Sequence, residues 1–468
     1  MINSIKFFVI LRYLNYFLGF LKGIIFAFVF TPSELGIWSY IMLILTLVGY
    51  TNLGADLYVN IEYSKRKKFK SEINQINGYT LLHFLIGSIL LLTTYVLFDS
   101  EIYELYQLLI IVTIYLFQTL QKNHSSILRV DRKINVIGIL EVLVSVIITI
   151  PAFLVYFNFY TLTFTEIIDY TLILWAIGLI VKQLFFFKYS NLKLFNFNFK
   201  FTNYKKIYSI GFPLLISNIS FYLIIQSNKI LIKEFLDFEM LGYFSFAFSI
   251  TYAVMMLFGS VIWAIFPKLI KDFSNIKTDI ELKSRKIEFY QKIYSFLIFL
   301  VGIVIIIISE PLLLYFLPKY LKSIDLIIIL IFAQYFISNS IFYKTALIAN
   351  YEQKNILKGT LLSFIISILL TTTIISSFDD IRFIGYSICL SYFLISLFNI
   401  YYYSKMKGDI FDFNMIKKII LPKFFLYLIL LVFLRGYYPS FQYLILVIVI
   451  TTNFSLIKES INLFKNDN

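Results

Sequence analysis

The sequence predicts an all-α integral membrane protein of about fourteen transmembrane helices. Two six-helix bundles are related by a parallel pseudo-two-fold repeat, and two extra C-terminal helices follow. Three observations predict this. Of the 468 residues, 60% are hydrophobic, 19% aromatic and only 15% charged, whereas soluble domains are nearer half apolar with about a quarter charged. The apolar residues fall in runs of about 20, the length a helix needs to cross the hydrocarbon core. Finally, Leu35-Gly36-Ile37-Trp38-Ser39 in the first half returns in the second as Leu241-Gly242-Tyr243-Phe244-Ser245.

In chain order, the first-half spans read as 7–30, 36–57, 78–98, 105–122, 136–157 and 166–187. The second-half spans read as 207–232, 241–266, 290–309, 324–349, 359–378 and 382–403, followed by 419–434 and 441–457. These group into an N-terminal bundle at 1–190, a basic connector at 191–206, a C-terminal bundle at 207–404 and an extra helix pair with its tail at 405–468. The first apolar segment is too long and too charged for a cleavable leader and lacks a small-residue cleavage site.

Charge orients the spans. One set of loops holds Lys65-Arg66-Lys67-Lys68, Arg129, Arg132-Lys133, Lys205-Lys206, Lys283, Arg285-Lys286 and Lys417-Lys418. The opposite set is short and carries Asp99, Glu101, Glu104, Asp379 and Asp380. The positive-inside rule makes the basic set cytoplasmic, and an even span count then puts both termini in the cytoplasm. The net charge of +14 thus reads as topology and contact with anionic lipid rather than a nucleic-acid face. The outside loops are too short for a catalytic domain. The lone Cys389 and the separated His83 and His124 exclude a disulfide framework and a cysteine or histidine metal cluster. No Walker-type loop is present, so any energy source is an ion gradient or downstream consumption of product.

The repeat has a wider frame. Both copies open the second span of their half after a short turn with an acidic residue. Lys22 precedes the first copy at nearly the distance at which Lys229 precedes the second. Ser126-Ile127-Leu128 is echoed by Thr345-Ala346-Leu347. Each half begins from the same side, so the repeat axis runs along the membrane normal.

Polar residues inside the spans are the functional candidates. Arg12, Asn15 and Lys22 share one helix and fall within roughly 80° of one another on the wheel. Lys22 lies too deep to reach an interface cheaply and has Gly19 and Gly23 beside it. It reads as a cavity cation, or else as a local ion pair or headgroup contact. Arg12 offers a planar donor fork suited to phosphate, or else snorkels to the interface. Lys229 shares a helix face with Asn218 and Tyr222, or sits at the outer interface. Lys182 and Lys344 lie about 9 Å inside the basic edge at 1.5 Å per residue, within reach of snorkelling; Lys292 and Lys423 are nearer that edge. Glu141 is a buried acid that pairs with a lysine or carries a coupling proton. Asp56 and Asp169 cap helices or face water. Intramembrane cations outnumber well-buried acids in the first half, a balance that favours an anionic cargo.

Several stretches carry a family resemblance. Thr31-Pro32-Ser33-Glu34-Leu35-Gly36-Ile37-Trp38-Ser39 resembles the first outside turn of polysaccharide flippases in the multidrug/oligosaccharidyl-lipid/polysaccharide exporter superfamily. Leu53-Gly54 looks like that family's small-residue step, and Ile210-Gly211-Phe212-Pro213-Leu214-Leu215-Ile216-Ser217-Asn218 is similar to its seventh-helix opening. Glu239-Met240-Leu241-Gly242-Tyr243-Phe244-Ser245 and Phe266-Pro267 fit too. At Asn228-Lys229 the chain departs from the family's frequent acid-then-base pair, which removes an acid and any ion pair there. The resemblance spans helices one to twelve.

It implies two six-helix bundles around a central cationic cavity working by alternating access. The implied cargo is a polyprenyl-pyrophosphate-linked glycan, carried across the cytoplasmic (inner) membrane for O-antigen or capsule assembly. It implies partnership with membrane lipids and with a polymerase machinery, and no cofactor; coupling to Na⁺ or H⁺ stays open. The diphosphate and sugar would meet Arg12, Asn15, Lys22, Asn218, Lys229 and Lys344, with Glu141 and Lys182 serving coupling or an ion pair. Three other readings stand beside it: a multidrug-extrusion cation antiporter, which needs cavity acids; an O-antigen polymerase-type membrane enzyme, which typically bears a long outside loop; and a scaffold of a polymer-assembly complex.

Overall fold

A computed structural model describes residues 2–56, 58, 70–99, 102–131, 133–190, 201–274, 280–350, 352–375, 377, 380–409 and scattered positions between 426 and 453. Among the described residues there are no strands. Among the described residues the α-helices with defined bounds are α1 (Ile2–Val29), α2 (Pro32–Val48), α3 (Lys70–Thr94), α4 (Leu105–Val130), α5 (Ile134–Tyr156), α6 (Phe164–Ser190), α7 (Phe201–Phe235), α8 (Phe238–Phe273), α9 (Ile280–Phe316), α10 (Ile324–Ser338), α11 (Ile341–Ala349), α12 (Gln353–Ile375) and α13 (Ile381–Lys407). Nine described stretches are long and apolar enough to cross a bilayer, so the chain is a multi-pass membrane protein. α4 is too polar to be among the nine, but its Gln121, Asn123 and His124 are buried in protein rather than presented to lipid. Expected spans thirteen and fourteen lie almost wholly outside the described residues, as do Lys65-Arg66-Lys67-Lys68 and Lys417-Lys418.

The acids at one end of the helices are caps. Thr31 and Glu34 form a capping box at the start of α2, with the Glu34 carboxylate accepting from the Thr31 N–H at 2.7 Å. Thr163 and Glu166 repeat that pattern at α6. Asp237 accepts from the Met240 N–H at 2.7 Å, and Asp380 from the Arg382 N–H at 2.9 Å. Each side chain satisfies a main-chain donor that the helix leaves over. The Arg382 side chain also bonds Asp380 and, with that N–H, holds its carboxyl below the usual carboxylate range.

The chain forms two compact units. The first is residues 1–219 with 237–242, the second 220–236 with 243–468. In the first, α1 runs parallel to α5: Gly138 packs on Leu11 and Phe8, Ser145 donates to Asn15 at 2.6 Å, and Phe28 meets Tyr156. α4 runs parallel to α6, held by Gln107 to Asp169, Gln121 to the Leu179 carbonyl and His124 to Ser190. Asp169 therefore ties two helices together rather than capping one.

The second unit repeats that pairing. α10 and α11 run parallel to α13, with Gly385 against Leu326 and Ile329, Ser396 donating to the Phe336 carbonyl, and Asn399 donating to Ser340. The fourth and sixth expected spans of each half are thus partners in both units. The repeated motif also meets itself within the first unit. A Cβ on Gly36 would overlap the carbonyl oxygen of Phe238, and one on Gly242 that of Pro32. This reciprocal contact is the signature of a local two-fold axis.

Two expected spans are not continuous helices. Span two leaves α2 through a 3-10 turn, Gly49–Asn52, into left-handed Leu53 and Gly54 at φ 50° and 81°. Span ten breaks at Asn339 and Ser340, between α10 and α11. Both breaks are tolerated because nearby side chains take the freed main-chain groups.

Candidate functional site

α1 holds three of the residues singled out. Its helical spacing sets Arg12, Asn15 and Lys22 on one side, yet the structure gives each a different environment. Arg12 donates to the Tyr16 hydroxyl at 3.1 Å and lies over the Phe8 and Tyr16 rings, 5.7 and 5.8 Å from their centroids. Asn15 is engaged by Ser145 of α5. Lys22 is half-buried, with its ammonium 6.0 Å from the centroid of Phe26 one turn on, and no carboxylate lies within 4.0 Å of it among the described residues. A cation–π contact offsets only part of the cost of taking an ammonium out of water.

Lys229 matches it in the second unit. Lys22 stands nine residues before the capping Thr31, and Lys229 eight before the capping Asp237. The Lys229 ammonium lies 5.9 Å from the Phe248 centroid, again with no carboxylate partner among the described residues. Phe248 stacks on Tyr252, whose hydroxyl bonds that of Tyr222 at 3.0 Å. Lys229 and Tyr222 therefore share one aromatic column, as helical spacing predicts. The side chain of Asn218 lies outside the described residues. Asn228 does not join the column. It is fully buried, accepts from Thr371 at 2.8 Å, donates to the Ile224 carbonyl at 2.7 Å, and continues through Thr371 to Ser387. Residue 228 therefore belongs to a neutral helix-packing network.

Lys344 lies in the first turn of α11, about 7.5 Å from its far end at 1.5 Å per residue. Lys229 lies about 9 Å from the opposite end of the unit on the same scale. These two lysines are not neighbours. Glu141 and Lys182 interact electrostatically across α5 and α6, but no nitrogen–oxygen contact of 4.0 Å or less joins them. Lys182 instead lies 5.4 Å from the Phe186 centroid.

Two groups escaped the sequence reading. Lys122 donates to the Gly49 carbonyl at 2.7 Å, in the break of span two, and interacts electrostatically with Asp56. In span ten, Gln291 donates to the Ser338 carbonyl at 2.6 Å and accepts from the Phe342 N–H at 3.0 Å, bridging the break like a missing helical turn. The polar triplet Ser338-Asn339-Ser340 was the local signal for that break; Lys122 had none beyond its place near a span end.

The geometry offers fixed intramembrane cations flanked by aromatic rings, in matching places in the two halves. It offers no cluster of three or more His, Cys, Asp or Glu side chains among the described residues. Cations beside aromatic rings are chemically suited to holding an anion.

Comparison with solved structures agrees with this fold. The lipid II flippase MurJ, in an inward closed conformation, matches with a TM-score of 0.72 and 16% identity over 97% of this chain and 99% of that one. An inward-facing multidrug resistance MATE family transporter of the MOP superfamily matches at 0.61 and 14%, over 86% and 99%. A MOP superfamily transporter from Pyrococcus furiosus matches at 0.54 and 12%, over 86% and 95%. At these identities the likeness establishes the fold, that of flippase-type and MATE-type transporters. No curated protein sequence matches the chain. The model of the polysaccharide biosynthesis protein family, in contrast, matches residues 3–272, more than half the chain, and the protein belongs to that family.

Proposed function

We propose that this protein is a flippase for polyprenyl-pyrophosphate-linked oligosaccharide repeat units. It carries them from the inner to the outer leaflet of the cytoplasmic membrane, by alternating access, for assembly of a surface polysaccharide such as O-antigen or capsule. The observation that carries the reading is the matched pair Lys22 and Lys229. An unpaired ammonium in a span costs a few kcal/mol, and a protein gains from keeping two in equivalent places when an anion passes them. A diphosphate supplies that charge, and the aromatic rings beside both lysines offer faces on which sugars stack. Family membership and a fold shared with a lipid II flippase support the same reading. A cation antiporter of this fold needs cavity carboxylates; Asp56 and Asp169 are bonded to protein partners, and Glu141 has Lys182 as an electrostatic neighbour.

In this reading the basic ends of the helices face the cytoplasm, as do both termini. Released cargo passes to a polymerase on the outer face. The test is complementation. In a strain lacking its own repeat-unit flippase, expression of the chain restores surface polymer and clears lipid-linked units from the inner leaflet. Units that reach the outer leaflet without the chain and stay unpolymerised would assign it a polymerase role instead.

A further inference from the structure

α2 ends at Val48, and the chain then turns through Gly49–Asn52 into the left-handed Leu53 and Gly54. The last carbonyls of a helix lack N–H donors from a next turn and carry the negative pole of its dipole. Asp56 follows two residues after Gly54 and adds a carboxylate. A helix C-terminus, unwound carbonyls and a carboxylate together make a place for a cation. Here the chain fills it from within. Lys122 donates its ammonium to the Gly49 carbonyl at 2.7 Å, and Asp56 interacts with that ammonium electrostatically.

One face of α4 is built for this break. Tyr115, Lys122 and Ser126 are spaced seven and four residues apart, so they share a helix face. The Tyr115 hydroxyl bonds that of Thr51, Lys122 takes Gly49, and Ser126 donates to the Asp56 carbonyl at 3.4 Å. On the other side of the break, Asn52 donates to the Asp56 carboxylate at 3.2 Å and accepts from the Ala55 N–H at 2.9 Å.

We propose that the Lys122 ammonium is a tethered cation of the interrupted second span. It occupies the place a free monovalent cation would otherwise fill, so this site binds no Na⁺. The proposal goes beyond the flippase reading and does not depend on its cargo.

The full chain is purified in NaCl, exchanged into NaCl or choline chloride at equal ionic strength, and its melting temperature is read in each. Wild type is expected to melt alike in both. Lys122→Ala is expected to melt lower than wild type in choline, by about 3 °C or more, and to recover saturably as Na⁺ replaces choline. Adding Asp56→Asn should remove that recovery. Lys122→Met, which keeps the apolar stem, is measured the same way. Cation-independent melting of both single variants, or failure of both to fold even in NaCl, would overturn the proposal. So would a saturable Na⁺ effect on wild type that Asp56→Asn removes. None of these readouts involves transport, so failure here leaves the flippase reading standing, and failure of that reading leaves this one.

Discussion

Gly36 and Gly242 touch through reciprocal contacts: each lies against the carbonyl oxygen of the residue four positions before the other, Phe238 and Pro32. Two copies of one motif thus meet backbone to backbone, an approach only glycine permits. Because the contacts are equivalent, alanine at either position should do equal harm. Gly36→Ala and Gly242→Ala are each expected to destabilise by about 1–3 kcal/mol, the usual range for overpacking, read as similar falls in melting temperature in detergent. A large effect at one position and none at the other would contradict the local two-fold relation.

Gln291 replaces a turn of helix in span ten by serving both the Ser338 carbonyl and the Phe342 N–H. Gln291→Leu keeps much of the volume and strands both main-chain groups in a dry interior. Each stranded group costs about 1–3 kcal/mol, so a marked loss of folded protein is expected, measured as detergent-stable monomer after heating. Gln291→Glu should retain the Phe342 bond and lose less.

Asp380 caps α13 and is held below the usual carboxylate range by Arg382. A carboxyl lowered in the folded state contributes stability above its unfolded value, and that contribution is lost as pH falls through the folded value. Asp380→Ala should therefore cost about 1 kcal/mol at neutral pH. The gap between variant and wild type should begin to narrow as pH falls below about 4, the unfolded carboxyl value, and go on narrowing as pH falls through the lower folded value. Melting curves at pH 7 and pH 3.5 compare the two.

Asn15 and Lys22 share a helix face, but the structure gives them different surroundings. The Asn15 carbonyl is occupied by Ser145, and hydrogen bonds between membrane helices average only about 0.6 kcal/mol. Asn15→Ala is expected to leave transport within about twofold of wild type while Lys22→Ala abolishes it, measured in the same complementation strain. Equal loss from both would return Asn15 to the substrate path.

Most of the first twelve spans were legible in the sequence because apolar run length reports the bilayer directly. The Leu35-Gly36 and Leu241-Gly242 repeat was legible for a different reason: close backbone approach demands glycine, and glycine is visible. The breaks in spans two and ten were barely legible, span ten offering only the polar triplet Ser338-Asn339-Ser340. An interrupted helix stays as hydrophobic as an intact one, and what makes the break affordable lies far away in sequence, in Lys122 and Gln291. The same limit hid the role of Asn228. Its place beside Lys229 suggested a lost ion pair, whereas its partners Thr371 and Ser367 come from a helix some 140 residues on. Of the candidate cations, Lys22 and Lys229 stand in matching places, while Lys344 lies at the opposite end of its unit from Lys229.

The most direct test of a cationic path for a diphosphate-linked glycan is flipping by the purified chain. Proteoliposomes carrying a fluorescent polyprenyl-diphosphate oligosaccharide are treated with a membrane-impermeant quencher, and the rate of leaflet exchange is read for wild type, Lys22→Ala and Lys22→Arg. The account predicts that Lys22→Ala slows exchange at least about tenfold, a loss of about 1.4 kcal/mol, and that Lys22→Arg keeps most of the wild-type rate. Exchange by Lys22→Ala at the wild-type rate, with the protein folded and inserted, would contradict it.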